Sequence, residues 1–365
     1  MPYTIDAFPL SKLFKPVTQA TAALVRLDER LTHSPIRDGF LERQNFSDAA
    51  AALWIEGELV QQEDLVLHDA RMDPRAPTHQ LTRAHAVLRA RRRIFAHPSE
   101  WALGPGLRQL TGRGNEALRS KEHRGGEGAE DDKSPTRPDT SAQQFAEVDA
   151  LLARSTKALD DIDADRRTGK LADDRLSLVY DLDWDEDARL AEWQAVLQAT
   201  HSLPAVLRAA LLVDAWAEIE VLQHASWLGP LLAAAFLRQS GTTVNHIASL
   251  FVGLRAIPRD QRCARDRTVR LLAMIDAISE AAGAGLKEHD RLVMARGQVE
   301  RRLRNRRKSS KLPQLVELVM ARPLVSTTMV QEELKLTKQG AINLISELGL
   351  RELTGRKRYQ AWAIV

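Results

Sequence analysis

The chain has 365 residues, 44% hydrophobic and 28% charged, a balance that suits a globular protein of two or three domains with a well-buried core. No apolar run reaches the roughly 18 residues of a membrane span, and residues 1–8 lack the basic, apolar and small-residue stretches of a secretory signal. A single cysteine, Cys263, excludes an internal disulfide and a cysteine-based zinc cluster, so a reducing, cytoplasmic setting is expected.

Net charge is only +3, but it is unevenly spread. Seven of the eleven residues 301–311 are basic, and Arg356, Lys357 and Arg358 form a second cluster near the C-terminus. Basic charge gathered at one end suits a nucleic-acid binder, because neutralised phosphates release condensed counterions.

In chain order, apolar residues at three- and four-residue spacings predict helices over residues 8–32 and 39–66, the second carrying Leu53, Ile55, Val60 and Leu65. A third helix, residues 77–95, ends in Arg89, Arg91, Arg92 and Arg93, where cations suit the negative end of the helix dipole. Residues 104–143 are rich in Gly, Pro, Ser and charge, with almost no large apolar residue after Leu118, and read as a disordered linker. Helices are expected again over 144–164, 187–201, 204–237, 244–254, 260–282 and 286–307. The fold class is therefore mainly α, in four parts: an N-terminal helical region (1–103), the linker (104–143), a helical domain (144–310) and a C-terminal winged helix-turn-helix (311–365).

The last part carries the specific pattern. Leu315, Val316, Leu318 and Val319 give a first helix its apolar face, and Pro323 stops it. Ser326, Thr327 and Thr328 offer N-caps for a short second helix over 329–334, with Thr328 and Gln331 at capping-box spacing. After a turn at Lys335-Leu336, Thr337 is the N-cap candidate for a third helix, residues 338–348, and Gly349 suits its left-handed C-cap. Ala341, Ile342, Leu344, Ile345 and Leu348 face inward, leaving Lys338, Gln339, Asn343 and Ser346 for a groove. A hairpin over 350–364 then places Arg356, Lys357 and Arg358 at a wing tip. Such a third helix presents its N-terminal residues to base edges, where Gln and Asn pair with adenine and Lys with guanine or phosphate.

Residues 322–359, from Arg322-Pro323 through Thr337-Lys338-Gln339 to Arg356-Lys357-Arg358-Tyr359, resemble the winged helix at the C-terminus of many Fic-family proteins. Ile55-Glu56-Gly57-Glu58 resembles that family's N-terminal inhibitory motif. The whole chain also resembles an uncharacterised bacterial family, met mainly on plasmids of plant symbionts, that carries this C-terminal domain. The Fic resemblance implies a general-base His and a Gly-Asn-Gly-Arg phosphate loop. The matching segment here runs Val221-Leu222-Gln223-His224-Ala225-Ser226-Trp227-Leu228-Gly229-Pro230. It keeps a His but lacks the metal-binding acid, the Gly-Asn-Gly and the Arg. Ala52 stands where the inhibitory motif has Ser or Thr, and Glu56 has no evident arginine partner. The resemblance thus implies a degenerate Fic-like body, with no catalytic residues and no cofactor.

Other chemistry is weaker. Asp161-Ile162-Asp163-Ala164-Asp165 starts like a calcium loop, but Arg166 and Ala172 replace the required Gly and Glu. No His-Glu-x-x-His, Gly-x-Ser-x-Gly or Walker loop occurs, so no metal site is expected. Cys263 has basic neighbours but no evident base and reads as a buried or incidental thiol. Trp54, Trp193, Trp216 and Trp227 read as core anchors. The expectation is a non-enzymatic protein that binds double-stranded DNA and regulates transcription, its body pairing with a second copy or sensing a partner. The alternatives are a nucleotidyl-transfer enzyme with a non-standard site at His224 and a protein-interaction module.

Overall fold

A computed structural model describes residues 3–4, 9–72, 76–111, 184–303, 311–352 and 360–364. The expected helix 144–164, the acidic turns at 161–172 and 181–183, and the wing tip lie outside the described residues.

The body begins with α1 (Leu10–Thr32), α2 (Arg37–Ile55), α3 (Gln62–Asp69), α4 (His79–Ala96) and a single turn, α5 (Leu107–Leu110). It resumes with α6 (Glu186–Ala199), α7 (Ala205–Ile219), α8 (Leu228–Gln239), α9 (Leu250–Ala256), the short α10 (Arg259–Arg262) and the 37-residue α11 (Arg267–Leu303). At about 1.5 Å per residue α11 spans roughly 55 Å, and α1, α7 and α9 pack along it.

Two expected helices stop where side chains alone would let them continue. Residues 39–66, expected as one helix, break because Gly57 takes a left-handed φ of 87°. Residues 204–237 break at Glu220, held at φ 51°, a conformation costly for a residue with a Cβ. Conversely α11 runs through Gly283 and Gly285 without a break, because Gly285 lies against Leu27, which occupies the place of a side chain. Gly253 shows the same logic: a Cβ there would sit 1.9 Å from the Ala277 carbonyl oxygen, so α9 crosses α11 in backbone contact.

The N-terminal helices and residues 186–303, read from sequence as separate parts, share one apolar core. Leu24, Phe46, Leu65 and Leu88 from the first part meet Trp193, Leu211, Phe251 and Ile275 from the second. Residues 104–111, read as the start of a linker, are folded, and Leu107 is buried in that core; their Gly and Pro content hides the helical spacing of Leu103, Leu107 and Leu110. Trp193 and Trp216 are buried edge to face, 5.3 Å apart, as core anchors. Trp54 is instead partly exposed, with the Arg255 guanidinium stacked over its ring.

Arg91, expected as a helix-end cation, is fully buried. It pairs with Asp48 and donates to the carbonyl of Ile247 at 3.1 Å, while Asp48 accepts from the Val252 N–H at 3.0 Å. Arg92 likewise clasps Glu42 and Asp69. The arginine run of α4 therefore ties α2, α3 and the α8–α9 connection together.

The C-terminal domain is α12 (Leu312–Ala321), β1 (Val325–Ser326), α13 (Thr327–Leu334), α14 (Lys338–Leu348), β2 (Arg351–Glu352) and β3 (Ala361–Ala363). The strands form an antiparallel sheet in the order β1-β3-β2, with Ser326 opposite Ala361 and Glu352 opposite Trp362. This is a winged helix-turn-helix. A second core joins it to the body, with Leu31, Phe40 and Leu292 packed among Leu315, Val319, Ile345 and Trp362. Gly39 lets α2 approach closely, since a Cβ would lie 2.9 Å from the Met320 oxygen. One turn on, Arg43 donates to the carbonyls of Val319 and Met320, each at 2.8 Å, and so caps the C-terminus of α12 from the body side. Burial pushes the Arg43 guanidinium down to about 10 against the pull of Glu288, which leaves it charged at neutral pH.

Candidate nucleic-acid interface

Each end of α13 and α14 has a local cause. β1 holds Ser326 extended, and its hydroxyl accepts from the Met329 N–H at 3.1 Å, so Ser326 is the N-cap of α13. The capping box expected at Thr328 and Gln331 is absent, because strand pairing at Ser326 starts the helix earlier and leaves Thr328 exposed within it. Lys335 takes a left-handed φ of 50° and closes α13. The Lys311 ammonium lies 2.5 Å from the Leu334 carbonyl, a cation on that helix's negative end. Thr337 then caps α14 by accepting from Gly340 N–H at 3.2 Å, and Gly349, at φ 69°, ends it.

With both ends pinned, α14 buries Ala341, Ile345 and Leu348, while Ile342 and Leu344 are half-buried. Thr337, Lys338, Gln339, Asn343 and Ser346 are all exposed. Positions 339, 343 and 346 follow helical spacing and share one face. On it, the Gln339 amide nitrogen donates to the Asn343 carbonyl oxygen at 3.0 Å. That bond leaves a Gln339 oxygen acceptor and an Asn343 amide donor side by side. Arg356, Lys357 and Arg358 lie outside the described residues. Arg351 on β2, which the sequence reading did not single out, is exposed at the base of the hairpin. A lone arginine next to Glu352 carries little signal in a sequence.

The second candidate, His224, is half-exposed on the connection between α7 and α8, with its Nδ1 3.4 Å from a Glu186 oxygen. The Ser226 hydroxyl donates to Glu56, and Glu56 also pairs with Arg83, the arginine partner that the sequence did not reveal. Gly229 has a packing cause: a Cβ there would lie 2.2 Å from the Trp216 side chain. Cys263 is exposed and therefore not a core thiol. Among the described residues no cluster of three or more His, Cys, Asp or Glu is arranged to hold a metal, and no helix is long and apolar enough to cross a membrane.

The geometry of residues 312–364 agrees with comparison to known proteins. Residues 312–365 match the family described as HTH DNA binding domain, and residues 178–304 match that described as protein of unknown function (DUF1612). The class is thus a helical body joined to a helix-turn-helix DNA-binding domain. More particularly, the chain is 47% identical over 381 aligned residues, covering 100% of both chains, to "Uncharacterized protein y4cF" of Sinorhizobium fredii, and it belongs to the same family.

Proposed function

We propose that this protein is a non-enzymatic transcriptional regulator that reads double-stranded DNA with the N-terminal half of α14. The observation that carries this reading is the exposed Gln339–Asn343 pair on a helix fixed at both ends within a helix-turn-helix domain. Its acceptor and donor, one from each residue, complement the N6 donor and N7 acceptor of adenine in the major groove. Lys338 and the helix N-terminus face phosphate or guanine, whereas the exposed Glu347 repels phosphate at the other end. Thr337 and Ser346 flank that edge, and Arg356, Lys357 and Arg358 hold the backbone from the wing. Pairing with a second copy would place two such helices on half-sites one helical turn apart. In-vitro selection of bound DNA with the full chain, at stated salt, should enrich an adenine-containing motif, with affinity that falls steeply as salt rises. Selection that enriches nothing over the input library contradicts it.

A second reading keeps the Fic-like expectation for the body. It rests on Glu56 meeting Ser226, which brings the two Fic-resembling segments together beside His224 and Glu186. Transfer of label from ATP to protein, abolished by His224→Ala, would favour an enzyme; no transfer by the full chain disposes of that reading.

A further inference from the structure

One face of α1 is apolar and open. Leu10, Phe14, Thr18, Thr21 and Val25 recur at steps of four, four, three and four, so they line one side of the helix. Leu10, Phe14 and Val25 are exposed, Phe14 at 75%. The two threonines add methyl groups to this side, because their hydroxyls are used by the helix itself: Thr18 donates to the Phe14 carbonyl at 2.9 Å and Thr21 to that of Val17 at 2.8 Å. Asn245 bonds Asp28 and Thr32 on the same side, which brings the exposed Val244 beside the C-terminal end of the stripe. Four of the nine large apolar residues that are exposed among the described residues thus gather in one stripe, and a contiguous patch marks an interaction surface where scattered residues do not. Lys15 and Arg26, both exposed, border it on one flank.

The chain itself supplies an occupant. Residues 112–183 lie outside the described residues, and the two points where they leave and rejoin the body bracket α1. Arg93 donates to Gln109 just before the departure, and Arg238 at the end of α8 donates to the carbonyls of Ile94 and His97, so the departure lies a few residues from Val244. The Tyr3 N–H donates to Glu192 at 2.7 Å, so the return through α6 lies near the start of α1. Within the segment, the helix that the sequence predicts over 144–164 carries Phe145, Val148, Leu152, Leu159 and Ile162 on one side, with Ser155 between the two leucines. These positions follow the alternating three- and four-residue steps of a helix that packs along another. Its acids, Glu147, Asp149, Asp160, Asp161 and Asp163, outnumber Arg154 and Lys157.

We propose that residues 144–164 lie antiparallel along α1 as an amphipathic helix and cover this face. The antiparallel sense follows from a departure near Val244 and a return near Tyr3. One register satisfies both patterns: Val148 meets Val25, Leu152 meets Thr21, Ser155 meets Thr18 and Leu159 meets Phe14. The same register sets Phe145 beside Val244, Glu147 beside Arg26, and Asp161 within reach of Lys15. At about 3.3 Å per extended residue, the stretches on either side of the helix span these distances with slack. A second copy fits the face less well. Two α1 faces paired antiparallel would bring Lys15 of one chain against Arg26 of the other, and like charges across an interface oppose pairing.

Disulfide trapping in the full chain tests this register. The exposed Cys263 is first replaced by Cys263→Ser. Thr18→Cys with Ser155→Cys then pairs two facing positions, close enough for a disulfide. Thr18→Cys with Lys157→Cys puts the second thiol on the opposite side of the same turn. In a glutathione redox buffer the first pair should close within one chain at least tenfold faster than the second, read by mass spectrometry after thiol blocking. Adding Leu152→Asp and Leu159→Asp should remove that difference. Equal rates for the two pairs, no intrachain disulfide, or a difference that survives the two aspartates overturns the assignment. A disulfide that joins two chains also overturns it and makes a second copy the occupant. None of these readouts involves DNA, so their failure is distinct from failure of the DNA-binding reading.

Discussion

Arg43 Nε donates to the Met320 carbonyl oxygen across 2.8 Å, a bond from the middle of one helix of the body to the last turn of the first helix of the DNA-binding domain. Removing the guanidinium would take its charged donor from two buried carbonyls, those of Val319 and Met320. Arg43→Met should cost roughly 2–3 kcal/mol in urea unfolding, the range for buried bonds to a charged group. Arg43→Lys should restore less than half, because an ammonium cannot deliver the planar fork. A loss below about 0.5 kcal/mol, the level of ordinary surface changes, would show that the two parts dock without this cap.

Two glycines should rank by the space they lack. Gly253→Ala would drive a methyl to within 1.9 Å of the Ala277 oxygen, whereas Gly39→Ala meets Met320 at 2.9 Å. Backbone at 1.9 Å must move, so Gly253→Ala should destabilise by at least the ~1–3 kcal/mol typical of overpacking, with Gly39→Ala below it. Thermal denaturation of the two variants checks the order.

The Arg91–Asp48 pair is buried on both sides, and truncating one partner leaves the other charge without compensation. Asp48→Ala should cost about 3–5 kcal/mol. The double change Asp48→Leu with Arg91→Met should cost less than Asp48→Ala alone, which a double-mutant comparison by chemical denaturation would show.

Asp69 sets an acid limit. Burial would raise its pKa, but hydrogen bonds from His85 and Arg92 outweigh it and hold the carboxyl well below the usual carboxylate range. A folded pKa below the unfolded value of about 3.9 contributes stability that is present above that value and lost as pH falls through the folded one. Wild-type stability should therefore fall more steeply than that of Asp69→Asn below about pH 4, where the unfolded carboxyl begins to bind a proton. Equal slopes for the two proteins in acid titration would contradict the shift.

Much of the DNA-binding domain was legible because its signals are local. Thr337 and Gly349 mark the two ends of α14, and both do so in the structure. β1 was not legible, since two residues carry no periodicity; without it Ser326 was only one of three N-cap candidates, and the expected capping box fell on Thr328 and Gln331. In the body the helices were legible but their ends were not. Glu220 adopts a left-handed conformation that its residue type does not advertise, and Gly285 sits mid-helix because a neighbour fills its side-chain space. The joint itself, Arg43 on Met320, and the body's own Arg83 on Glu56 depend on pairings across 277 and 27 residues that no spacing rule reaches.

The central claim turns on Gln339 and Asn343. Each good bidentate base contact contributes about 1–3 kcal/mol of discrimination, or roughly 5- to 150-fold. Fluorescence anisotropy should compare a selected duplex with a scrambled one for the wild type and for Gln339→Ala with Asn343→Ala, at one salt concentration. The account predicts that the double variant loses at least tenfold of the preference while keeping its affinity for scrambled DNA. An unchanged ratio in a folded double variant would remove α14 from sequence readout.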